Sequence, residues 1–116
     1  VVTVNKGCTI ESATGVAGDV IIDLATSDVA GFSITAVGVT LRNMTITGED
    51  AAGATKAIAS TANATVLENL IIVATVTTTG AVIDLDGDYS VVKGCNIGNA
   101  IAAIQVSVAS RSRATR

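Results

Sequence analysis

The chain is 116 residues long, one domain's worth of polypeptide, and with 49% hydrophobic but only 2% aromatic residues its core must be built from Val, Ile, Leu and Ala. It contains no Pro, His or Trp, and the lack of His removes both the commonest general base and the commonest metal ligand. Ten acidic against seven basic residues give a net charge of −3, which excludes the basic footprint of a nucleic-acid-binding body.

Residues 2–4 read as a short strand leading to a bend at Gly7 and a second strand at 8–10. Residues 20–24 follow, with Val20, Ile22 and Leu24 on one face and Asp19, Ile21 and Asp23 on the other, wet one. An alternating segment at 32–36 is extra and lengthens the first interval of the pattern. Residues 39–41 precede a bend at Asn43 and a strand at 44–46, and a polar, small-residue loop is expected at 48–53. A strand near 57–60, a return through Asn63 to 65–67, a bend at Asn69 and a strand at 70–73 come next. After a Thr-rich connection at 75–80, residues 81–86 point Ala81, Ile83 and Leu85 inward and Val82, Asp84 and Asp86 outward. Residues 90–92, a bend at Gly94 and a strand at 95–97 follow, and the apolar pattern ends at 101–108.

Four of these stretches repeat one form: Lys6-Gly7-Cys8-Thr9-Ile10, Arg42-Asn43-Met44-Thr45-Ile46, Glu68-Asn69-Leu70-Ile71-Ile72 and Lys93-Gly94-Cys95-Asn96-Ile97. The second slot holds only Gly or Asn, the residue types that most readily take a left-handed backbone, so Gly7, Asn43, Asn69 and Gly94 are expected to stack as a bend ladder. Alternation then predicts two core ladders, Cys8, Met44, Leu70 and Cys95 in one and Ile10, Ile46, Ile72 and Ile97 in the other. Ile22, Ile58 and Ile83 would form a third, lying 15, 15 and 14 residues past their bends. The bends are spaced by 36, 26 and 25 residues, the mark of a solenoid. The predicted fold is all-β: a parallel β-helix of about four coils with three short strands per coil, residues 1–110 forming a single domain and 111–116 a short basic end segment. Three coils at about 4.8 Å each would put the two cysteines about 14 Å apart, beyond the roughly 7 Å limit of a disulfide. They are expected to be free, buried thiols. No stretch has the 18 or so apolar residues of a membrane span, and a chain starting at Val1 is expected to be a piece or processed form of a longer one.

The pattern Val-x-Leu-x-Asn-x-x-Ile at residues 39–46 resembles the coils of the right-handed parallel β-helix of pectin-lyase-like proteins, which include pectate lyases and bacteriophage tailspikes. An Asn ladder often occupies the bend matched here by Asn43 and Asn69. The resemblance covers nearly the whole chain and concerns coil grammar, not a catalytic motif. The first coil departs from it, since Asn5 stands where Leu41, Leu67 and Val92 stand later. It implies a non-enzymatic structural module of a virion, such as a phage spike, fibre or capsid decoration (cement) protein, located on a virion or extracellular surface. A homo-oligomer, with a trimer favoured, and other virion proteins are the implied partners. A polysaccharide lyase or glycoside hydrolase is the implied alternative, and a bacterial surface adhesin passenger built of such coils is the second.

Asp84, Asp86 and Asp88 are the candidate acids if the chain is an enzyme. Asp84 and Asp86 lie two apart on one strand face, about 6.5 to 7 Å between α-carbons, a range used by inverting glycosidases. The plainer reading makes them acids on the wet face of an exposed strand, ahead of a turn at Gly87-Asp88. The stretch fails as a calcium loop, because its Gly is fourth rather than sixth and Cys95 stands at the twelfth position. Arg42 and Lys93, which could serve a lyase, share the pre-bend slot with Lys6 and Glu68, so a role at the bend explains all four. No cofactor or metal is expected. A glycan ligand stays open, although Phe32 and Tyr89 are the only rings that could form a platform. Asn43-Met44-Thr45 and Asn63-Ala64-Thr65 match the glycosylation sequon. Arg111, Arg113 and Arg116 form either a solvated end or a docking segment.

Overall fold

The computed structural model describes residues 2–26, 31–49, 56–74, 81–98, 102–106 and 113–115, and their regular secondary structure is nearly all strand, paired in parallel. The strands are β1 (Val2–Val4), β2 (Thr9–Glu11), β3 (Ile21–Thr26), β4 (Phe32–Ile34), β5 (Thr40–Glu49), β6 (Ile58–Ser60), β7 (Val66–Ala74), β8 (Ala81–Leu85), β9 (Val91–Lys93), β10 (Asn96–Gly98), β11 (Ala102–Val106) and β12 (Arg113–Thr115). A single 3-10 turn, Ala17–Asp19, is the sole helical element among the described residues. The β-branched composition favours this outcome, and the short alternating runs cannot sustain a helical stripe. Among the described residues no helix is long and apolar enough to cross a membrane.

Two sheets carry the strands of the described residues. One has the order β1-β4-β6-β8-β11; the other has the order β12-β9-β7-β5-β2, with β3 also on β5 and β10 also on β7. Phe32 pairs with Ile58 and Ile58 with Ile83, while Thr40 pairs with Val66 and Val66 with Val91. Equivalent residues therefore recur at intervals of 26 and then 25, as the bends predicted. The inward faces of both sheets meet in one apolar cluster in which Ile34, Leu41, Met44, Ile46, Ile58, Leu67, Leu70, Ile72, Ile83 and Leu85 are almost wholly buried. Among the described residues five strand levels stand where about four were expected, because β11 lies in register on β8 with Ile104 on Ile83 and Val106 on Leu85.

The first level departs from the expected register. Thr9, Ile10 and Glu11 pair with Thr40, Leu41 and Arg42, so Ser12, not Gly7, stands at the level of Asn43. Gly7 lies instead beside the turn at Val37 and Gly38, where an added Cβ would come within 2.8 Å of the Val37 carbonyl oxygen, and it is not left-handed. Cys8 leaves the ladder of Met44, Leu70 and Cys95 for the level of Val39, and Ile10 sits under Leu41 rather than Ile46. Their places are taken by Val20 and β3: Thr45 donates to the Val20 carbonyl next to Met44, and Ile22 pairs with Ile46. The third ladder accordingly runs Val2, Phe32, Ile58, Ile83 and does not include Ile22. The extra residues of the first interval are not 32–36. The offset between paired residues falls from 31 at Thr9–Thr40 to 24 at Ile21–Thr45, which places seven inserted residues between Glu11 and Ile21, around the 3-10 turn.

The physical reason is charge and burial. The expected register would place Lys6 under Arg42 and Asn5 under the fully buried Leu41; the observed one places Glu11 under Arg42 and Ile10 under Leu41. Elsewhere the differences are smaller. Gly48 and Glu49 finish β5 instead of starting a loop, while the rest of that loop and the connection at 75–80 lie outside the described residues. Arg113 belongs to a strand paired with β9, whereas Arg111 and Arg116 lie outside the described residues.

Candidate functional site

The acids of the 84–88 stretch do not share one environment. Asp84 lies mid-strand in β8, level with Ala59 in β6, and is only 9% exposed although it points away from the core residues Ile83 and Leu85. Its Oδ2 accepts from Lys56 Nζ, and Oδ1 is buried without a hydrogen-bond partner among the described residues. The face expected to be wet is therefore covered here, as Val82 at 2% exposure also attests. Asp86 is exposed, and Asp88 sits in the following bend, its backbone N–H donating to Asn63 Oδ1 at 2.8 Å. One carboxylate is thus held in an ion pair, the second faces solvent and the third stands at the bend. Paired acid catalysis needs two carboxyl groups facing one bond. Lys56 was not singled out from the sequence; its only signal is a lone cation in a neutral stretch about one repeat before an acid.

Among the described residues, two bends recur at the second, third and fourth levels. At the first, Asn43, Asn69 and Gly94 are left-handed with φ of 57°, 49° and 62°, and Asn69 Nδ2 donates to Asn43 Oδ1 at 2.8 Å. The bend ladder is thus left-handed in three of its four expected members, with Gly7 the exception. At the second, Gly38, Ala64 and Tyr89 are left-handed with φ of 77°, 57° and 60°. Thr65 and Ser90, each just after the left-handed residue, donate back to the carbonyls of Ala62 and Gly87 at 3.4 and 3.3 Å, so side-chain hydroxyls fasten the turn at successive levels. Both sequon asparagines are engaged at these bends, Asn43 by Asn69 and Asn63 by Asp88. Replacing Asn69 by Val should lower stability by about 1 to 2 kcal/mol, from left-handed strain plus the lost ladder bond. Equilibrium urea unfolding measures it, and an unchanged midpoint would refute the ladder's energetic role.

Before the first bend, Glu11, Arg42, Glu68 and Lys93 lie in register on successive strands and alternate in sign. Arg42 Nε donates to Glu11, and Lys93 Nζ stands 3.6 Å from Glu68 Oε1. The hydrogen bond from Arg42 holds the Glu11 carboxyl below its usual range and raises Arg42 in turn. A lowered carboxylate contributes at neutral pH and is lost as pH falls through its depressed value, but at this exposure the row selects register more than it stabilises. In a parallel stack, alternating sign means that a slip of one whole level brings like charges together.

Both cysteines are free. Cys8 is exposed, contrary to its expected burial, whereas Cys95 is half-buried beside Leu70 in the core ladder, with Sγ 3.7 Å from the Leu67 carbonyl oxygen and 3.5 Å from that of Lys93. Burial pushes the Cys95 thiol up. Iodoacetamide at pH 8 should therefore alkylate Cys8 well before Cys95 in the folded chain, with equal labelling in urea. Peptide mass mapping reads the order, and faster labelling of Cys95 would overturn the observed register.

Among the described residues no group of three or more Cys, Asp or Glu gathers as metal ligands. No protein-family model, curated protein or solved structure matches the chain.

Proposed function

We propose that the chain is a right-handed parallel β-helix of the pectin-lyase-like type, serving as a non-enzymatic structural module on a virion or extracellular surface. The observation that carries this reading is the in-register parallel stacking of equivalent residues 26 and 25 apart, turned by left-handed residues that recur on three successive levels. Such a stack transmits length and stiffness along one axis, which suits a spike, fibre or cement element. The commitment of Asp84 to Lys56 supports it further, because the best carboxylate on the chain serves a pair instead of facing a substrate groove.

A broad panel of neutral and acidic polysaccharides, assayed for new reducing ends and for unsaturated products, tests the reading. No cleavage is the expected result. Turnover by the wild type that disappears in Asp84→Asn or Asp86→Asn would replace it with a polysaccharide lyase or glycoside hydrolase.

A further inference from the structure

The outward face of the second sheet carries two rows of side chains that cross four stacked strands. Glu11, Arg42, Glu68 and Lys93 form one row, in register on β2, β5, β7 and β9. Thr9, Thr40, Val66 and Val91 form the other, two residues earlier on the same strands and so on the same face. Between the rows, Leu41, Leu67 and Val92 point inward and are at most 3% exposed. The outward side chains stay open to solvent: those of Glu11 and Arg42 are each 41% exposed, that of Glu68 37% and that of Lys93 49%, while Val66 and Val91 are half-buried.

The signs of the charged row, negative, positive, negative, positive, become their own complement when the row is reversed. A second copy laid face to face about a two-fold axis parallel to the strands, midway between β5 and β7, therefore sets Arg42 of each copy on Glu68 of the other and Glu11 on Lys93. The same axis sets Val66 on Thr40 and Val91 on Thr9, so a strip of apolar groups closes beside the charges. No other two-fold placement of the row on itself matches all four. An axis along the stack sets each charge on its own copy, and an axis on β5 or on β7 sets Glu11 on Glu68 or Arg42 on Lys93. An axis between β2 and β5, or between β7 and β9, pairs only two of the four residues. The ion pairs within one copy, Arg42 with Glu11 and Lys93 with Glu68, do not exhaust these groups. A guanidinium has five donors, an ammonium three and a carboxylate about four acceptor sites, so each can take a second partner.

We propose that this face pairs with the same face of a second copy, the two stacks running antiparallel and the alternating charges choosing the register. Opposed like charges disfavour the other registers, and opposite charges speed encounter. The face spans about four strands at roughly 4.8 Å and three residues at roughly 3.4 Å each, less than a permanent dimer buries, so the dimer is weak and exchanging. The pairing goes beyond the reading of the chain as a structural module and does not depend on it. Whatever the glycan panel returns, the pairing stands or falls on its own test.

Sedimentation equilibrium of the wild-type chain across micromolar to millimolar concentration should show the 11.5 kDa monomer in equilibrium with a dimer, weakened by salt. Two charge swaps, Glu11→Arg/Arg42→Glu and Glu68→Lys/Lys93→Glu, each keep opposite charges within their own ion pair, at the cost of one like-charged contact between β5 and β7. Each swap alone opposes like charges across the interface and should dimerise roughly tenfold more weakly or worse, with the wild-type far-UV circular dichroism. Mixed one to one, the two swaps should recover the wild-type affinity as a heterodimer, because every opposed pair again has opposite signs. If either swap unfolds, Lys93→Gln decides instead: it removes the Glu11–Lys93 contact at both ends of the interface, and a folded chain that dimerises roughly tenfold more weakly supports the pairing. A wild-type chain that is monomeric at millimolar concentration overturns the proposal, as does a trimer. A swap that dimerises as the wild type does, a mixture of folded swaps that stays monomeric, or unchanged dimerisation of Lys93→Gln where that variant decides, overturns it too.

Discussion

Gly87→Ala is expected to destabilise the chain by about 3 kcal/mol or more. Gly87 is buried in the second bend, directly over Ala62 of the level below. An added Cβ would lie 1.8 Å from the Ala62 carbonyl oxygen, 2.2 Å from its carbonyl carbon and 2.7 Å from the Asn63 nitrogen. These are backbone atoms, and they are tied down. The Ala62 carbonyl accepts from Thr65 and Ser60, and Asn63 Oδ1 holds the Asp88 N–H. Relief would require the two levels to part, which would break the Ala64 N–H bond to the Asp88 carbonyl at 2.8 Å. Gly98→Ala is the internal comparison. Nothing lies within 4 Å of its built Cβ and its φ is not positive, so it should be neutral or stabilise by a few tenths of a kcal/mol. In urea the Gly87 variant should lose about 1 to 2 M of midpoint. Equal midpoints for the two alanine variants would show that the bends do not stack this closely.

The repeat was readable because its bend demands particular residues. Asn43, Asn69 and Gly94 occupy a left-handed position that few side chains tolerate, so their spacing disclosed both the level height in residues and the parallel direction. The second bend was not readable in the same way. Ala64 and Tyr89 take left-handed backbone there, and neither residue type announces it; the Thr65 and Ser90 hydroxyls that fasten the turn look like ordinary polar residues in sequence. The first level was misplaced because Lys6-Gly7-Cys8-Thr9-Ile10 imitates the bend signature while the true continuation is interrupted by seven residues around the 3-10 turn. Charge was the unused discriminator. Only the observed register gives Glu11, Arg42, Glu68 and Lys93 alternating sign along the stack. The candidate site was legible only as a set of acids. Alternation assigned Asp84 to the outward face correctly, but outward does not mean wet, and its partner Lys56 stands 28 residues away.

That partnership carries the second large effect. Lys56→Met should cost about 2 kcal/mol, below the 3–5 kcal/mol for breaking a fully buried pair, because the Lys56 side chain is 36% exposed whereas that of Asp84 is 12%. The cost arises at Asp84. With Oδ1 already unpaired, removing the ammonium leaves a covered carboxylate with no charge partner among the described residues. Asp84→Leu removes the demanding group instead and should cost less, leaving an amphipathic Lys that can extend into solvent. In the double variant Lys56→Met/Asp84→Leu both charges are gone and apolar surface is added next to Val82 and Ala57, each buried. Its stability should return to within about 1 kcal/mol of the wild type, giving a coupling of roughly 1 to 3 kcal/mol in the double-mutant cycle. Denaturant unfolding of the four proteins measures it. Additive changes would mean that Lys56 and Asp84 act independently, and Asp84 would then stand as a carboxylate without a structural task, the condition under which a catalytic role for it would regain force.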